Sequence, residues 1–158
     1  MYALRQWAIR HSGPLELAYA VLEKTLHRLH PLFQRIGYRR VEAPVALVER
    51  GIKGLVFDSK MCGDCVLGST GMSCPTNCPK SLRNGPCGGV RPDGGCEVKP
   101  EMRCVWVDAW DGSQGMAEGA KILDIQPPLD HRLAGLSSWL RVARGEHPGS
   151  AGRDGAGQ

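Results

Sequence analysis

The chain has 158 residues, a formal charge of +4 at pH 7, 21 Gly, 11 Pro and only two Phe. This is about one domain's length, too short for a (β/α)₈ barrel of about 250 residues, and the composition argues against a large regular core. Lys and Arg are scattered, which argues against a nucleic-acid-binding patch, and no window reaches the roughly 18 apolar residues of a membrane span.

In chain order, the opening MYALRQWAIRHSG lacks the continuous apolar stretch of a secretory signal. A cytoplasmic location is the expectation, and residues 1–13 read as a short arm. From Leu15, the apolar positions Leu15, Tyr19, Leu22, Leu26, Leu29, Phe33 and Ile36 recur at steps of four and three, a helical stripe. Pro14 suits its first position and Gly37 its end, while Pro31 predicts a kink or two shorter helices. The stripe packs on the chain's own core or docks on a partner. His27 and His30 read as solvated or capping groups rather than metal ligands.

Residues 38–50 read as a short strand and a turn broken by Pro44, and VWVDAW (105–110) as a second strand. Met116 to Leu123 predicts a helical turn or two. Leu129 to Ala143 predicts a last amphipathic helix through Leu133, Leu136, Leu140 and Ala143. From Gly145 the sequence has nothing to bury and reads as disordered. The expected fold is a small α+β one, metal-stabilised and loop-rich, with an N-terminal amphipathic helix and short strands. It divides into a helical docking region (1–50), a cysteine-rich metal-binding module (51–112), a C-terminal helical segment (113–144) and a tail (145–158).

All seven cysteines, Cys62, Cys65, Cys74, Cys78, Cys87, Cys96 and Cys104, fall within 43 residues, of which 13 are Gly or Pro. In a reducing compartment such spacing indicates metal chemistry rather than disulfides, and an odd count would leave one thiol over. So few large apolar residues cannot offset the chain entropy of this segment. Metal–thiolate bonds can, since structural zinc contributes roughly 10–16 kcal/mol in small peptides.

Cys62-x₂-Cys65 puts two thiols on one tight turn, with Gly63 available for positive φ. That pair fits zinc or iron–sulfur. Cys74-x₃-Cys78-Pro79 resembles the close of a ferredoxin run. No His lies between Cys62 and Cys104, so any site is sulfur-rich. Spacing favours iron–sulfur and leaves zinc open. The Gly-rich NGPCGG and PDGG stretches lack a phosphate-loop pattern and read as tight turns near the sulfurs. No nucleophile–base pairing is visible.

The stretches FDSKMCGDCVL (57–67), CPTNCPKSLRNGPCGG (74–89) and CEVKPEMRCVWVDAW (96–110) resemble the cysteine-rich C-terminal-type domain of methylenetetrahydrofolate reductases. That domain is fused to the flavin-containing reductase or stands beside it as a small subunit, and the likeness runs over about residues 50–142. The resemblance implies an accessory subunit without a catalytic site of its own. It would carry an iron–sulfur cluster, [4Fe-4S] in type, and pass electrons to the flavin of a separate barrel subunit, itself served by an electron-donor protein. Zinc in a purely structural module is the alternative. All seven cysteines match the family's positions, and the stripe at 15–36 gains a docking purpose. Ser59 stands where many relatives have cysteine, which favours one cluster over two. Cys62, Cys65, Cys74 and Cys78 are the first choice of ligands.

Overall fold

The computed structural model describes residues 2–146. Five α-helices form the frame: α1 (Tyr2–Arg10), α2 (Ser12–Ile36), α3 (Tyr38–Phe57), α4 (Val105–Ser113) and α5 (Ser138–Ala143). Short 3₁₀ turns at Leu67–Ser69, Pro75–Asn77, Gly119–Leu123 and His131–Leu133 punctuate the loops. Among the described residues there is no sheet, only an isolated antiparallel bridge between Gly95 and Arg103. The α+β expectation is therefore corrected to a helical fold. No helix among these residues is long and apolar enough to cross a membrane.

α2 is the expected stripe, closed at Gly37 with φ +95°. Leu26 is buried, and Leu22 and Phe33 pack with it against Trp139 and Ala143 of α5. Leu15 and Tyr19 join a second cluster around Phe57, Leu67 and Met72. The stripe thus serves the chain's own core. Pro31 lies inside one continuous helix instead of splitting it. Pro31 and His27 are both exposed, so the carbonyl that loses its donor lies on the solvent face.

The segment expected as strand and turn is the first part of α3, and this helix is inside out. Its buried residues are Ala46, Glu49, Lys53 and Phe57. Its exposed ones include Leu47, Val48, Ile52 and Leu55. Two charges face inward and four aliphatic side chains face water. Pro44 again sits on the exposed side.

The arm at 1–13 forms α1, which packs on α3 and α4. VWVDAW is helical too. α4 buries Val105, Trp106, Asp108, Ala109, Gly112 and Ser113, so it is enclosed on most sides. Asp108, fully buried, accepts from Gln6 at 2.8 Å and Arg103 at 3.1 Å, with Arg5 at 3.5 Å. A strand reading fits the β-branched and aromatic composition, but a tightly packed neighbour overrides propensity here.

That neighbour is the backbone at Gly71. A Cβ on Gly112 would lie 2.0 Å from the Gly71 carbonyl oxygen. Neither backbone can yield without moving α4 off the cysteine segment. Gly112→Ala should cost about 1–3 kcal/mol, read as a lower urea midpoint at unchanged slope.

At the C-terminal end the α-helix is confined to Ser138–Ala143, capped by Ser137, whose hydroxyl accepts from the Leu140 N–H at 3.2 Å. Residues 129–137 are loop with one 3₁₀ turn instead of the expected longer helix. The expected disordered tail lies outside the described residues from 147 onward.

Candidate metal centre

α3 ends in a left-handed cap at Asp58 (φ 54°), whose N–H donates to the Gly54 carbonyl, while the Ser59 N–H donates to that of Lys53 at 3.1 Å. This cap turns the chain into the loop that carries Ser59, Cys62 and Cys65. Gly63 has the expected positive φ of +78°. An added Cβ there would lie 2.0 Å from the Leu133 carbonyl oxygen, so the turn is pressed against the 131–136 loop. Asp64 is buried and pairs with Arg83, and Arg141 donates to the Gly63 carbonyl at 3.1 Å.

The seven thiols are all unpaired, with Cys74 and Cys104 buried and the other five half-buried. They fall into two groups. Cys62, Cys65 and Cys74 line one small cavity together with Ser59, Lys53, Glu49 and Arg83. Cys78, Cys87, Cys96 and Cys104 line another, which shares no residue with the first. Cys78 therefore lines a different cavity from Cys62, Cys65 and Cys74, its companions in the first choice of ligands. The 3₁₀ turn Pro75–Asn77 separates it from Cys74.

The second group is assembled by pairing across a loop. The Cys96 N–H donates to the Met102 carbonyl at 3.0 Å and the Cys104 N–H to that of Gly94 at 2.9 Å. Gly94, in the PDGG stretch, takes φ +78° as a tight turn requires. Cys104 sits at the N-cap of α4. Cys87 Sγ lies 3.7 Å from Glu97 Oε1.

Each cavity holds about 20 Å³, room for about one water-sized sphere. As the side chains stand, no three His, Cys, Asp or Glu donors among the described residues meet closely enough to grip an ion. The thiols wall a space rather than converge on a point. Donor chemistry fits either group, because soft thiolates select zinc and iron–sulfur. Burial pushes the Cys62 and Cys74 thiols above their ordinary range, so each stays protonated until a metal displaces its proton.

The sequence reading missed the polar wall of the first cavity. Glu49 Oε1 accepts from Lys53 Nζ at 2.6 Å and from the Ser138 hydroxyl at 2.5 Å. Its Oε2 accepts from the Ser137 hydroxyl at 2.6 Å and the Trp139 N–H at 3.2 Å. Burial alone would lower the Lys53 ammonium, but Cys65, Tyr19 and Glu49 outweigh it and hold Lys53 above its ordinary value. The Glu49-x₃-Lys53 spacing was the available signal, visible once the segment is read as helix.

Beyond Cys65 and Ser138 lies a groove of about 830 Å³ between α2, α5 and residues 118–128. Tyr19 and Trp139 line it, and the Tyr19 hydroxyl stands 3.7 Å from Cys65 Sγ.

Residues 38–132 match the family described as methylene-tetrahydrofolate reductase C terminal. No curated protein and no solved structure matches the chain.

Proposed function

Because the chain belongs to the methylene-tetrahydrofolate reductase C-terminal family, we propose that it is an accessory module of such a reductase. In this reading it holds an iron–sulfur cluster and relays electrons to a flavin in a separate barrel subunit. The observation that carries it is the gathering of Cys78, Cys87, Cys96 and Cys104 around one cavity. Four thiols with no competing imidazole are the donor set of a [4Fe-4S] cluster, which when bound accepts and releases single electrons.

The chain's own residues supply the surroundings. Cys104 stands at the N-terminus of α4, which fixes its backbone at the edge of the cavity. Gly89 lines the four-thiol cavity without a side chain to crowd it. The outer aliphatic face of α3 offers apolar surface to a barrel subunit.

Zinc is the second reading, favoured by the 20 Å³ volume of the cavity, which suits one ion better than a cube of iron and sulfide. Anaerobic co-purification with the flavin subunit tests both. Brown protein with iron and acid-labile sulfide, whose bound flavin is reduced through the module, is the expected result. Colourless protein with stoichiometric zinc would establish the structural reading and end the electron-relay one.

A further inference from the structure

We propose that the outward face of α3 seats one helix of the flavin-bearing subunit, a large apolar side chain of which enters a notch at Gly51. This rests on the reductase reading above but not on any metal.

Pro44, Leu47, Val48, Gly51, Ile52 and Leu55 are all exposed. Their spacing puts them on one side of the helix over about three turns. Gly51 is central, with Leu47 four residues before it and Leu55 four after. Leu47 is 68 % exposed and Leu55 58 %, an uncovered apolar strip of the kind that marks a contact site.

Nothing in this chain calls for glycine at the centre of that strip. A Cβ on Gly51 would meet nothing within 4 Å, and the same holds at Gly54. Neither has a positive φ, and both lie inside the helix, where glycine is a poor former. The missing side chain leaves a hole walled by Leu47, Val48 and Leu55. Such a hole receives a knob from a facing helix.

Charge narrows the occupant. The exposed charges of α3 are Arg39, Arg40 and Arg50, all cations. Glu42 is half-buried and accepts from the Ser137 N–H at 2.6 Å, while Glu49 is buried. The covering helix therefore carries carboxylates on the borders of its apolar face. A barrel subunit can offer such an element, because helices form its outer ring. A second copy of this chain would set notch against notch and arginine beside arginine. A fluid bilayer has no fixed knob for the hole.

Titration of the purified flavin-bearing subunit with the full chain, both kept free of oxygen, tests this. Gly51→Leu and Leu47→Glu should each weaken the complex by at least about tenfold. Both isolated variants should melt no earlier than the parent chain, since both positions face solvent. Arg50→Glu should weaken binding at low salt and flatten its salt dependence. Leu123→Glu, exposed on the 3₁₀ turn that packs on α4, should bind like the parent chain. Parental affinity in Gly51→Leu, Leu47→Glu or, at low salt, Arg50→Glu would overturn the proposal and leave the complex itself standing. Equal loss in Leu123→Glu would do the same. Flotation with phosphatidylglycerol vesicles, or a self-dimer lost in Gly51→Leu, would give the face to lipid or to a second copy and also sink it. Absence of any complex would refute both this proposal and the reductase reading. Flavin reduction is a separate readout, so its failure in an intact complex would refute the electron relay alone.

Discussion

Replacing Glu49 by alanine should destabilise the chain by about 3–5 kcal/mol, the cost of leaving a buried charge without its partner. Lys53 is 2 % exposed and Glu49 1 % exposed. Removing the carboxylate leaves the Lys53 ammonium with the Ser138 hydroxyl at 2.6 Å and the Tyr19 and Trp139 rings, but without its carboxylate partner. It also strips the acceptor from Ser137, Ser138 and the Trp139 N–H, which join the start of α5 to α3. A thermal or urea melt with metal bound reads the loss. Glu49→Gln should cost less, since the amide oxygen still accepts. A double variant, Glu49→Leu with Lys53→Met, should recover most of the stability, because apolar groups of similar volume can replace a buried pair. A loss below about 1 kcal/mol in Glu49→Ala would show that water reaches the pair.

Removing the metal should unravel one half of the cysteine segment and spare the other. From Phe57 to Pro75 most residues are buried, among them Met61, Asp64, Leu67, Thr70, Met72 and Ser73. From Thr76 to Arg103 Gly95 alone is buried. The first half has apolar contacts to hold it, while the second depends on its thiols. After chelation, amide exchange in residues 78–103 should rise by at least about a hundredfold, while residues 61–74 stay protected. Exchange mass spectrometry on loaded and stripped protein checks this. Equal protection throughout, before and after, would mean that metal is no part of the fold.

This division also shows how far the sequence was legible. The positive φ at Gly63 follows from local sterics and stands. So does α2, whose stripe and closing glycine are strong local signals. That Cys74 and Cys78 line different cavities was not legible, because spacing cannot foretell the 3₁₀ turn between them. VWVDAW was misread because its residue types favour strands, whereas it is helical and its backbone packs closely on Gly71. The segment from Cys62 to Cys104 reads as unable to form core, yet Leu67 and Met72 are buried in it, because their partners, such as Phe57 and Ala8, come from helices that the sequence reading did not find.

α3 carries one last consequence. In most helices aliphatic positions resist substitution and charged ones accept it. Here the pattern of tolerance is reversed. In a saturation scan of the isolated chain, Leu47, Val48, Ile52 and Leu55 should accept nearly any polar residue. Glu49 and Lys53 should accept almost none singly. Variants chosen by the usual rule, keeping leucines and varying charges, would therefore concentrate their damage in this helix.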